Sequence, residues 1–127
     1  MARILVVDDE PSIRTALNAV LRRPGHVVSA AADGLAGVLL FKQGQFDLVL
    51  TDVRMPGLTG PELIREVRGL RPEIPVIIMG GGGSIPPMDP ATFARSVGAD
   101  AVLLKPFSAQ QVFAAIEPLL AGRPPQP

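Results

Sequence analysis

Ile4-Leu5-Val6-Val7-Asp8-Asp9-Glu10-Pro11 is a short apolar run, rich in β-branched residues, that ends in carboxylates and gives way at once to a proline. A strand that stops on charge beside a residue suited to the first turn of a helix is a β-α unit. The same pattern recurs along the chain. Strands are expected at Ile4–Val7, Val27–Ala30, Leu48–Thr51, Val76–Met79 and Ala101–Leu104, with segments of helical period between them. That alternation predicts an α/β fold, a doubly wound five-stranded parallel sheet with five helices. The strand candidates read as continuous apolar runs, which suits strands covered on both faces.

The helices carry start and stop signals. The first follows Pro11, places Ile13, Ala16, Leu17, Val20 and Leu21 on one face, and stops at Arg22-Arg23-Pro24-Gly25. A second is expected from Asp33 to Lys42, with Leu35, Val38, Leu39 and Phe41 apolar. Thr59-Gly60-Pro61-Glu62 and Ser108-Ala109-Gln110-Gln111 have capping-box spacing and open the third and fifth. Asp89-Pro90 opens a short fourth helix that ends at Gly98. Pro118 removes a helical N–H, so the fifth helix is predicted to kink there or to end near Ile116 or Glu117.

Composition narrows the function classes. The 127 residues are expected to form one domain over 1–121, followed by a Pro-rich tail or linker remnant at 122–127. No cysteine and a single histidine, His26, exclude a thiolate or histidine-rich zinc site, so any metal is hard and oxygen-bound. Twelve basic and twelve acidic side chains cancel, leaving no field to attract nucleic acid or an anionic membrane. The first apolar stretch is too short for a signal peptide, and no run approaches the roughly 20 residues of a membrane span. A cytoplasmic location is expected.

Asp8 and Asp9 follow the first strand, Asp52 follows the third and Lys105 follows the fifth. Ligands of doubly wound sheets bind beyond the carboxyl ends of the strands. Carboxylates gathered there repel one another unless a cation compensates, and oxygen-only ligands select Mg²⁺ or Mn²⁺. Mg²⁺ keeps several waters and bridges to phosphate oxygens, which points to phosphoryl chemistry.

Several further features make the chain resemble the receiver domain of two-component response regulators, in the manner of a single-domain chemotaxis regulator, over residues 3 to 121. They are Asp8-Asp9 after Ile4-Leu5-Val6-Val7, Asp52 followed by Met55-Pro56-Gly57, Gly60, Pro75, Gly98-Ala99 and Lys105-Pro106-Phe107. The resemblance implies the flavodoxin-like strand order 2-1-3-4-5, which brings the acidic residues and Lys105 to one edge. It implies that Asp52 is the phosphoacceptor and that Lys105 contacts the phosphoryl group. Asp9, Asp52 and the backbone carbonyl of Arg54 would hold Mg²⁺, with Asp8 supporting the ion through water. A cis peptide at Lys105–Pro106 is implied as well. The implied partners are a sensor histidine kinase or phosphotransfer protein and an output protein, with the chain a monomer or weak homodimer. Neither nucleic acid nor membrane contact is expected of this domain.

Two positions depart from the pattern. The family's switch Thr or Ser falls at position 80, which is Gly80, and the aromatic residue often found three before Lys105 is Val102. Losing one hydroxyl to a charged phosphoryl group forfeits about 1.5–3 kcal/mol. Gly80 and Gly81 still offer backbone N–H groups for close phosphoryl contact. The 25 residues from Gly80 to Lys105 predict a long mobile loop over 80–88. Ser84 is a candidate substitute hydroxyl, although four extended residues would carry it about 13 Å away.

The resulting expectation is a signalling switch that accepts a phosphoryl group on Asp52 in a Mg²⁺-dependent, self-catalysed reaction and loses it again, without being an enzyme of turnover. The alternative is a phosphorylation-independent binding module of the same fold. A haloacid-dehalogenase-like phosphatase normally needs an aspartate at position 54, where Arg54 stands. A flavin site is disfavoured because Asp8-Asp9-Glu10 would repel the cofactor phosphate.

Overall fold

The computed structural model describes residues 1–81 and 83–122. Ten elements alternate strictly: β1 (Arg3–Val7), α1 (Pro11–Arg22), β2 (Val27–Ala31), α2 (Gly34–Gln43), β3 (Leu48–Asp52), α3 (Gly60–Leu70), β4 (Val76–Gly80), α4 (Pro90–Val97), β5 (Ala101–Leu104) and α5 (Ala109–Ala121). All strands are parallel and lie in the order β2-β1-β3-β4-β5. The expected α/β architecture and strand order are both present.

Alternation along each strand divides the core into two layers. Ile4, Val6, Leu48, Leu50, Ile77 and Met79 meet Leu17 and Leu21 of α1 and Val112 and Ile116 of α5. Leu5, Val7, Val49 and Ile78 face α2, α3 and α4, where they pack with Phe41, Leu63, Val67 and Phe93. The central strands β3 and β4 are buried along their whole length, whereas the edge strands β2 and β5 are partly exposed.

Capping fixes where the helices begin. Thr59 and Glu62 exchange both hydrogen bonds of a capping box at α3, and Ser108 and Gln111 do the same at α5. Asp33 and Asp89 cap α2 and α4 by accepting from the N–H groups of Ala36 and Thr92. The left-handed Gly98 ends α4.

Three expectations change. Helix α5 runs through Pro118 to Ala121. The proline lies in its last turn, where the loss of its N–H is offset by Leu119 and Leu120 beyond it, which pack on the α1/α5 layer. Leu35 and Leu39 of α2 point outward, 66% and 57% exposed. The buried side of that helix is Gly34, Gly37, Val38 and Phe41, because glycine lets it approach the sheet closely. Ala16 is likewise exposed, so the buried face of α1 is narrower than its apolar pattern. The tail proposed beyond Gly122 lies outside the described residues.

Candidate functional site

The register brings the carboxyl ends of four strands into line. Val7 pairs with Thr51, Asp52 with Met79, and Gly80 with Leu104, so Asp8, Asp52 and Lys105 emerge at one edge of the sheet. Asp52 is the last residue of β3, one position later than the sequence boundary. Thr51, fully buried, donates its hydroxyl to the Asp52 carbonyl at 3.1 Å and so has a structural role.

Lys105 Nζ stands among three carboxylates: 2.8 Å from Asp8 Oδ2, 3.1 Å from Glu10 Oε1 and 3.4 Å from Asp52 Oδ1. The Glu10 N–H donates to Asp8 Oδ1 at 2.9 Å, and Arg14 donates to the Asp8 carbonyl at 2.7 Å. These bonds hold a completely buried carboxylate in place. The Lys105–Asp8 contact is an ion pair without hydrogen-bond geometry, which leaves Asp8 Oδ2 buried and with no hydrogen-bond partner among the described residues. Asp52 Oδ1 accepts from the Val53 N–H at 3.0 Å. The same oxygen faces Lys105, so Oδ2 is the less engaged of the two.

The electrostatics follow from crowding. Burial raises the Asp52 carboxyl above its ordinary range, the Asp8 charge raises it further, and Lys105 with the Val53 N–H opposes them. Burial pulls the Lys105 ammonium down, but the close ion pair with Asp8, the hydrogen bond to Glu10 and the charge of Asp52 outweigh it, so the net shift is upward. Lys105 is therefore a fixed cation.

One oxygen each from Asp8, Glu10 and Asp52 lies within 4.8 Å of the other two. Three carboxylates against one ammonium leave excess negative charge, and a buried oxygen lacks a hydrogen bond. A hard divalent cation such as Mg²⁺ fits that donor set. Asp9, exposed, lies on the wall of an adjoining open cavity of about 560 Å³, outside the close triple. Asp52, Arg54, Gly81, Ser84 and Lys105 line the same cavity. Glu10 is the site residue that sequence reasoning missed. Its signal was the acidic run continuing to the residue before Pro11, where the helix start turns the side chain toward Lys105.

The remaining candidates sort simply. Gly80 is buried at the end of β4, and its carbonyl accepts from the Lys105 N–H at 2.9 Å. The Gly81 N–H donates to Ser84 Oγ at 2.9 Å. Arg54 is exposed, with Nη2 3.5 Å from the Gly83 carbonyl. Val102 packs against the α2/α3/α4 layer, and the Lys105–Pro106 peptide is cis. His26 accepts from the Ala2 N–H through Nδ1 at 3.0 Å, and burial, then the amino-terminal charge, lowers its pKa.

An all-parallel α/β sheet with an acidic pocket at its carboxyl edge defines a class of proteins before it defines a family. Residues 4–117 match the model of the response regulator receiver domain, and the chain belongs to that family. It is 35% identical over 126 residues to the transcriptional regulatory protein TcrA of Mycobacterium tuberculosis, covering 98% of this chain and 49% of that one. It is 39% identical over 118 residues to the transcriptional regulatory protein ZraR of Escherichia coli, covering 93% of this chain and 26% of that protein. A crystal structure of a response regulator receiver domain protein from Clostridium thermocellum superposes with a TM-score of 0.85 at 34% identity, covering 95% of both chains. The chain thus spans half or less of the curated relatives. Receiver domains are phosphoacceptor signalling domains that bind Mg²⁺ at an acidic pocket and interact with histidine kinases or phosphotransfer proteins. Among the described residues no helix is long and apolar enough to cross a membrane.

Proposed function

We propose that this receiver, acting in the cytoplasm, accepts a phosphoryl group on Asp52 from a histidine kinase or phosphotransfer protein and serves as a signalling switch. The observation that carries the reading is Lys105 Nζ held between Asp8, Glu10 and Asp52 beside an open cavity. In the transfer, a bond forms between an Asp52 oxygen and phosphorus while the bond from phosphorus to the donor's histidine nitrogen breaks. The electron pair stays on that nitrogen. Asp52 Oδ2 is the nucleophile, since Oδ1 is engaged by the Val53 N–H and faces Lys105.

Lys105 aligns the incoming group and balances charge on its oxygens, which is most of what a loose, metaphosphate-like transition state requires. Mg²⁺, when bound, supplies the rest of the charge neutralisation. Asp8 and Asp52 would hold it with Glu10 or Asp9 and the Arg54 carbonyl. Glu10 competes for Lys105, so its carboxylate is the one most readily exchanged for a phosphoryl oxygen. Intact-mass analysis after incubation with Mg²⁺ and acetyl phosphate tests the reading. The wild-type chain gains one phosphoryl group and Asp52→Asn gains none. Absence of modification by both acetyl phosphate and a phosphorylated kinase or phosphotransfer donor would sink it.

A further inference from the structure

Gly80 ends β4 without a side chain, and the space beside it is filled from further along the chain. A Cβ built on Gly80 would stand 2.6 Å from Ser84 Oγ and 3.0 Å from both Ile85 Cγ1 and Val53 Cγ2. The Ser84 hydroxyl therefore stands against the position of the missing Cβ, in space that a side chain at 80 would need. A turn brings it there: the Ser84 N–H donates to the Gly81 carbonyl at 3.0 Å, and Ser84 Oγ accepts from the Gly81 N–H and donates to the Gly81 carbonyl at 2.8 Å. Ile85, next in sequence, is half-buried against the α2/α3/α4 layer and anchors the turn. Gly81 is equally constrained, because a Cβ there would meet the Lys105 carbonyl at 2.6 Å. The absence of side chains at Gly80 and Gly81 thus lets Ser84 and Ile85 lie against the strand end.

The returned hydroxyl lines the same cavity as Asp52 and Lys105. We propose that Ser84 is a phosphoryl-binding residue: its hydroxyl stands in for the side chain missing at Gly80 and donates to an oxygen of the phosphoryl group on Asp52. The proposal rests on the phosphoacceptor reading of Asp52. Without a phosphoryl group the hydroxyl donates to a neutral carbonyl, that of Gly81. A phosphoryl oxygen is a stronger, charged acceptor, so the donor exchanges partners when the group arrives. The exchange ties Ser84, and with it Ile85, to the state of Asp52. A route from the phosphoryl group to the 81–88 loop then exists without a hydroxyl on β4.

Calorimetric titration of the full chain with beryllofluoride, a phosphoryl mimic, at saturating Mg²⁺ tests the assignment. Ser84→Ala is expected to weaken beryllofluoride binding by about tenfold or more, the size of one hydrogen bond to a charged group, while its Mg²⁺ affinity stays at the wild-type value. Gly80→Ala retains the hydroxyl but places a Cβ against it, and the same loss is expected. Wild-type affinity for beryllofluoride in Ser84→Ala would overturn the assignment, as would an equal loss of Mg²⁺ affinity, which would signal general loosening of the site. If the wild-type chain itself neither binds beryllofluoride nor accepts a phosphoryl group from a donor, the phosphoacceptor reading fails instead.

Discussion

Asp52 and Lys105 are each shifted upward in pKa, with opposite consequences for the fold. A carboxyl whose folded pKa lies above its unfolded value loses stability by ionising. That cost is complete above the folded pKa and disappears as pH falls below the unfolded one. Asp52→Asn should therefore stabilise the protein at neutral pH, and urea melts should show the gain vanishing in acid. In the absence of Mg²⁺, a carboxyl NMR titration should find Asp52 above the ordinary aspartate range, and a value at or below that range would contradict the burial argument. Lys105 works the other way. Its raised pKa gives stability that is present throughout the physiological range and is lost only in strong alkali. Lys105→Met leaves three carboxylates facing one another and should cost about 2–4 kcal/mol at neutral pH, with Mg²⁺ recovering part of it in thermal melts. At this scale the sequence was most readable where charge interrupts an apolar run, as at Asp8, Asp52 and Lys105. It was least readable at Glu10 and Ser84, whose roles depend on where a helix start and a turn direct a side chain.

Elements position these residues through a few close approaches. Helix α3 begins so near the end of β3 that a Cβ on Gly60 would overlap the Asp52 carbonyl, and the Gly60 N–H donates to the Val53 carbonyl at 2.8 Å. Gly60→Ala should push the helix from the strand end, costing about 1–3 kcal/mol in denaturant melts and slowing phosphorylation of Asp52. Helix periodicity located α1, α3 and α5, because their apolar stripes agree with a first-turn proline in α1 and with capping boxes in α3 and α5. It left α2 undirected, since Leu35, Val38, Leu39 and Phe41 cover too much of the helix for period alone to choose a face. The small residues Gly34 and Gly37 made that choice. Of the two outcomes expected at Pro118, a kink or an early end, the end does not occur, because the partly buried Leu119 and Leu120 hold the last turn of α5 on the core. The loop after β4 was legible as a loop, with Ser84 a candidate hydroxyl, but its path was not, for a related reason. Glycines fix no direction, and the return of Ser84 over Gly80 depends on Ile85 finding the core.

Across the whole molecule, the two core layers hold β1, β3, β4 and β5 in one register, and that register assembles the site. Alternation of strand and helix made the architecture legible, and family resemblance supplied its strand order. The central claim is that the carboxyl edges of these four strands form a single phosphoryl site whose occupancy reaches the 81–88 loop. Amide NMR of the labelled chain, titrated with beryllofluoride at saturating Mg²⁺, measures this directly. The account predicts concerted shifts at Asp8–Glu10, Asp52–Val53, Gly81, Ser84–Ile85 and Lys105, all following one binding curve and all absent in Asp52→Asn. Binding that shifts the amides around Asp52 while Ser84 and Ile85 stay fixed would contradict it.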